Sequence, residues 1–189
     1  MKRLFILTCA ILFAVAVQAQ EHMTFKGIPM NCNLTSFVSQ LEAKGYTKLS
    51  IDEDSAFLSG SFAGKDNCTI IVLCTTVAKI VWKVGVYFPE QTSWYSLKSE
   101  YNSFKQSYTE KYGTPSSYEF FSDPYYEGDN YELQALKLDK CTYSSYYNTP
   151  AGYISLSISS TKQVCVAYED AINVVIKRNE TEKAVSNDI

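Results

Sequence analysis

Ser93–Gly113 reads SWYSLKSEYNSFKQSYTEKYG. Trp94, Leu97, Tyr101, Phe104 and Tyr108 recur there at steps of three and four. That spacing predicts a helix of roughly five turns with one aromatic stripe. Lys98, Glu100, Lys105, Glu110 and Lys111 fall mostly off the stripe. Thr92 or Ser93 supplies a side-chain oxygen for the first turn. Gly113 suits the left-handed position after the last turn, and Pro115 prevents continuation. Such a stripe must cover an apolar surface, and the sequence on either side reads as strands.

Upstream, Leu34, Phe37, Val38 and Leu41 have helical spacing, with Asn31 or Asn33 as cap and Gly45 as terminator. Three strand-like runs follow. Ala56–Phe62 places Ala56, Leu58, Gly60 and Phe62 on one side. Cys68–Cys74 is a continuous apolar run. Lys79–Phe88 alternates, with Ile80, Trp82, Val84, Val86 and Phe88 expected inward and Lys83, Gly85 and Tyr87 outward.

Downstream, Phe120 and Phe121 fit a strand, while Asp123-Pro124 and Glu127-Gly128 are turn signals. Asn130–Lys137 reads as a short helix with Leu133, Leu136 and Leu138 inward. Lys140–Tyr147, Tyr153–Ser159 and Val164–Tyr168 are three further strands. Ala171–Ile176 is apolar enough to dock on or extend the sheet, and the polar residues from Arg178 onward read as a frayed end.

The fold class that follows is α+β: a mainly antiparallel sheet packed on one face by a long helix and shorter helices. Each half shows a helix and then three strands, so two tandem α-β-β-β units, 31–114 and 115–176, fit as well as one continuous sheet. A single domain over 20–189 is preferred, because no Pro/Gly/Ser-rich linker divides the chain.

Residues 1–19 read as a signal peptide. Lys2 and Arg3 precede an apolar run from Leu4 to Val17, and Val17-Gln18-Ala19 offers a cleavage site before Gln20. The run is short of the roughly 20 residues that a membrane span needs. A periplasmic or secreted location is expected, with no membrane span after cleavage. The chain has 17 basic and 20 acidic residues. Loss of Lys2 and Arg3 deepens the acidity, and no basic cluster beyond Lys177-Arg178 suggests a nucleic-acid surface. Of six cysteines, Cys9 falls in the leader, leaving Cys32, Cys68, Cys74, Cys141 and Cys165. Their odd number and spacing select no disulfide pairs, and buried thiols are expected.

Catalytic machinery is hard to find. His22 is the one histidine, placed beside the processing site and read as a mobile surface residue. It would have to serve any Ser-His or Cys-His nucleophile, and a metal site needing two histidines is ruled out. No metal and no cofactor is called for. Glu127, Asp129 and Glu132 form a carboxylate cluster, the one place to look for a carboxylate-dependent hydrolase. Solvated acidic loops explain them as well. Tyrosine is the compositional oddity: there are 15, and eight lie between Tyr118 and Tyr153. Tyrosines in loops bury area at low entropic cost and keep a polar handle. Tyr125, Tyr126, Tyr146 and Tyr147 sit at or near turns and are the candidate binding residues.

Phe25-Lys26-Gly27-Ile28-Pro29, Leu41–Tyr46, Gly60–Gly64, Lys111–Pro115 and Val166–Asn173 together resemble an uncharacterised family of small secreted or periplasmic proteins of gut Bacteroidetes. The resemblance covers most of the chain beyond the leader, through turn and core residues without catalytic content. The order of elements is similar to the helix-plus-three-strand modules of β-lactamase-inhibitor-like proteins and of the outer-membrane assembly lipoproteins. The chain departs from the latter in lacking a cysteine at the start of the processed protein. The resemblance implies a periplasmic or extracellular α+β protein and assigns no activity. The expected function is a non-catalytic binding module that recognises a protein, peptide or glycan through a tyrosine-rich surface. An envelope scaffold protein and a carboxylate-dependent hydrolase are the alternatives.

Overall fold

The structure, a computed structural model, describes residues 21–188. The expected leader lies outside the described residues. In chain order the elements are β1 (Thr24–Phe25), β2 (Ile28–Pro29), α1 (Leu34–Glu42), β3 (Thr47–Ile51), β4 (Ser55–Phe62), β5 (Lys65–Cys74) and β6 (Val81–Tyr87). Then follow α2 (Trp94–Tyr112), β7 (Ser116–Phe121), α3 (Glu132–Lys137), β8 (Cys141–Thr149), β9 (Gly152–Ile158), β10 (Val164–Asp170) and α4 (Ala171–Asp188). The fold is α+β. β1 and β2 form a small hairpin, and the other strands form one eight-stranded antiparallel sheet in the order β3-β4-β5-β6-β10-β9-β8-β7.

The two halves therefore share one sheet. Each is a helix followed by a four-stranded meander, and the last strands, β6 and β10, pair antiparallel at the centre. The long helix begins the second unit instead of separating two units. Each half has one strand more than the expected three. β3 is the one missed in the first half: it is an edge strand exposed along its length, so it lacks the half-buried alternation by which strands are recognised.

α2 forms as the stripe predicts. Ser93 Oγ accepts from Ser96 N–H at 3.1 Å and closes the first turn, and Gly113 stands at φ +86° after the last. Leu97, Tyr101 and Tyr108 are buried against the second half of the sheet. Asn33 caps α1, which buries Leu34, Phe37, Val38 and Leu41 over the first half. Between helices and sheet lies one core, in which Ala56, Leu58, Ile70, Val72, Val84, Val86, Leu156 and Val166 are fully buried. The expected inward position of Trp82 is corrected. A register shift between Leu73 and Cys74 puts Val81 in the core, and Trp82 stays partly exposed beside Lys83 and Lys177. Leu138, expected inward on α3, is exposed beyond its end.

The C-terminal segment also departs from expectation: Ala171–Asp188 is a helix, not a strand extension followed by a frayed end. The run Ala-Ile-Asn-Val-Val-Ile has β-strand propensity, yet Asp170 overrides it. Its Oδ1 accepts from the N–H groups of Ile172 at 3.0 Å and Asn173 at 2.8 Å. Its Oδ2 takes the N–H of Met23 at 2.7 Å and lies 3.0 Å from His22 Nδ1. His22 is therefore anchored, not mobile. Asn173 then donates to the carbonyls of Met30 and Val81. The start of the described chain, the centre of the sheet and α4 meet at these two side chains.

Candidate binding surface

The face of the sheet opposite α1 and α2 is built from the outward members of each alternation. The ladder registers place them in rows. One row runs Phe57, Ile71, Gly85, Ala167, Ser155, Tyr146 across six strands. The row on one side carries Tyr87, Cys165, Ser157, Ser144 and Tyr118. The row on the other carries Leu73, Lys83, Glu169 and Tyr153. Gly85 and Ala167 face one another across the central β6–β10 pair. Their small size leaves a recess of about 330 Å³, walled by Tyr87, Cys165, Ile71, Leu73, Ser155 and Ser157.

Charge is nearly absent from this face. Lys83 and Glu169 are ion-paired at 2.7 Å and cancel. Burial pushes the Cys165 thiol up to about 12, and it raises the Tyr87 phenol as well. Both stay protonated at neutral pH, so Cys165 is a poor nucleophile there. What remains is hydroxyl and aromatic surface. Toward the β7 edge, Tyr118, Phe120, Tyr146 and Tyr153 are each about half exposed, at 47–56%. The Tyr118 and Tyr146 rings meet edge to face at 6.1 Å.

The four tyrosines selected from sequence separate. Tyr146 is on this face. Tyr147, the next residue, points the other way and is corrected to a core residue: it is buried, and its hydroxyl donates to the Lys105 carbonyl at 3.0 Å. The alternation of β8 makes that split unavoidable. Tyr125 and Tyr126 lie in the β7–α3 connection. With Pro124, Asp129, Tyr131 and Gln134 they line a separate open groove of about 390 Å³. Tyr126 is well exposed, while the Tyr125 hydroxyl accepts from Gln134 Nε2 at 3.1 Å.

The carboxylates hold that connection together. Asp129 accepts from the N–H groups of Tyr126 at 3.1 Å and Tyr131 at 2.7 Å. Glu132 accepts from the Gly128 N–H at 2.9 Å. Glu127 pairs with Lys98 of α2 and accepts from the Tyr143 hydroxyl at 3.3 Å. The hydrogen bond from the Lys98 ammonium holds the Glu127 carboxyl below its ordinary value, the opposite of what a general acid requires. The Trp94 indole N–H is buried beside this pair and makes no well-aligned bond, though its dipole also favours the carboxylate.

Tyr101 shows how α2 is fixed over β7 and β8. Its buried hydroxyl is 2.7 Å from Ser145 Oγ and donates to Glu119 at 3.0 Å, and Lys105 reaches the same carboxylate at 2.5 Å. Burial pushes the Tyr101 phenol well above its usual value.

Sequence reasoning missed the recess. The alternation of β9 does mark Ser155 and Ser157 as outward. Nothing in the sequence states that β10 pairs with β6, and that pairing is what brings Gly85 to Ala167. Among the described residues no helix is long and apolar enough to cross a membrane. Comparison with protein-family models, curated proteins and solved structures returns no match for this chain.

Proposed function

We propose that this chain is a non-catalytic binding module of the periplasm or extracellular space. Its recognition surface is the face opposite α1 and α2, and its ligand is a polypeptide segment. One observation carries the reading: this face is a neutral tyrosine and serine surface around a central recess, in a chain that is otherwise acidic. Tyr and Ser together supply rigid contact area and adaptable hydrogen bonds, the combination that dominates antibody paratopes. A recess of about 330 Å³ accommodates one or two side chains of a protruding loop. The leader-like sequence of residues 1–19 supports the location.

The test is capture from the producing cell's envelope and medium, followed by purification of the captured partner and direct titration. Tyr146→Ala with Ser155→Arg is expected to weaken the purified pair at least tenfold while leaving the melting temperature within about two degrees. A partner bound equally well by that variant would overturn the reading. Loss of binding on Tyr125→Ala with Tyr126→Ala instead would move the site to the groove of the β7–α3 connection. A glycan that binds on an array and is displaced by Ser155→Arg would replace the polypeptide as occupant. The hydrolase alternative gains nothing from the geometry, since Glu127, Asp129 and Glu132 are engaged in holding a loop.

A further inference from the structure

The β7 edge of the sheet carries the inference. Ser122 N–H donates to the Lys140 carbonyl at 2.8 Å, in register with the β7–β8 ladder. Hydrogen-bonded pairs alternate along an antiparallel ladder. Phe120, Tyr118 and Ser116 therefore bond to β8, and Ser117, Glu119 and Phe121 turn their N–H and C=O groups outward. Among the described residues no turn, loop or side-chain bond takes up these groups.

The two edges of the sheet differ. β3 carries Lys48, and its pairing is interrupted by a register shift between Lys48 and Ser50. Both features discourage further strand addition. β7 has no lysine, no proline and an unbroken register. Its one charge, Glu119, is neutralised by Lys105 at 2.5 Å and by the Tyr101 hydroxyl at 3.0 Å.

We infer that β7 pairs antiparallel with β7 of a second copy of this chain, joining two sheets about a two-fold axis at Glu119. The register follows from the outward groups. Only pairing centred on Glu119 sets Ser117 opposite Phe121 and Glu119 opposite Glu119, so that every outward group bonds to another. The positions between them are then the close, non-hydrogen-bonded pairs, at roughly 4.5 Å between Cα atoms. There Tyr118 of each copy meets Phe120 of the other on the open face, as cross-strand aromatic pairs. Both side chains are about half exposed in the single chain. Like-charge opposition at the axis is removed because each Glu119 brings its own Lys105. The joined sheets extend the candidate binding face without covering the recess. Pairing of this length is at the small end of protein interfaces, so the dimer is concentration-dependent, with a dissociation constant on the order of 10–100 µM.

Sedimentation velocity of the purified protein from roughly 2 to 500 µM, concentrations that bracket that constant, reads the state. A monomer at low concentration and a dimer at high concentration are expected. Tyr118→Lys with Phe120→Lys sets like charges opposite each other and is expected to leave monomer throughout, with an unchanged far-ultraviolet spectrum. Tyr118→Lys with Phe120→Glu sets opposite charges across the same seam and is expected to restore the dimer. A wild-type chain that stays monomeric, or a dimer that survives the double lysine variant, overturns the pairing. Failure of the lysine–glutamate variant to dimerise overturns the register. None of these results depends on the recess, whose variants leave β7 untouched.

Discussion

Asp170 has no exposed surface and receives N–H groups from Met23, Ile172 and Asn173. Asp170→Ala removes a helix cap and leaves the Met23 N–H without its partner. It should lower unfolding free energy by about 3 kcal/mol, measured as a shifted urea midpoint at constant m. A loss under about 0.5 kcal/mol would mean that water replaces the carboxylate without penalty. Gly60 is a second sensitive position. A Cβ there would stand 2.4 Å from the nearest atom of the Tyr46 ring. Gly60→Ala should cost about 1–3 kcal/mol, and less when combined with Tyr46→Leu, because the two changes share one clash. Additive costs in the double variant would show that the ring is not the obstacle. Neither role was legible in the sequence. Gly60 looked like one member of an inward alternation, and Asp170 fell between two expected elements and was assigned to neither. Both depend on residues distant along the chain.

Elements were more legible than their connections. α1, α2 and six strands follow from periodicity and punctuation, because each buries one face against the same core. β3 and α4 were missed: one buries no face, and the other is started by a side chain whose remaining bonds reach back to Met23. The β7–α3 connection gives an element-scale prediction. Glu127 is held below its ordinary value chiefly by the Lys98 hydrogen bond, and Lys98 is raised chiefly by Glu127. A depressed carboxyl stabilises the folded connection above its unfolded value, about 4.3, and the effect fades as pH falls through the folded value. The raised ammonium loses its effect only as pH rises beyond the usual lysine range. Lys98 is partly exposed and Glu127 about half exposed, so solvent screens the pair and it contributes at most about 1 kcal/mol. Amide exchange across residues 123–131, corrected for intrinsic rates, should quicken between pH 5 and roughly pH 3, and Lys98→Met should abolish that dependence. Unchanged acid sensitivity in the variant would assign it to other groups.

At the scale of the molecule, the two meanders depend on one another. β6 and β10 are interior strands only because each has the other, and Glu100 of α2 is 2.9 Å from Lys65 of β5, a charge contact between the halves. The fragment 21–92, which ends before α2, should therefore lack a cooperative thermal transition, while the whole chain should show one. An independent, cooperative transition in the fragment would make the halves separate folding units. The sequence exposed the duplication in its order of elements but not the pairing that unites it, since no local pattern specifies which strand is central. That arrangement has a consequence in time. The central strand β10 is the last to be synthesised, and it completes contacts with residues made as early as Met23. Until Val164–Asp170 is available, β6 has a bare edge and the N-terminal segment has no anchor. Folding must wait for nearly the whole chain and close long loops at once, which places it among slow, high-contact-order folders on the millisecond-to-second scale. A chain truncated before residue 164 presents the unpaired β6 edge permanently and is expected to aggregate.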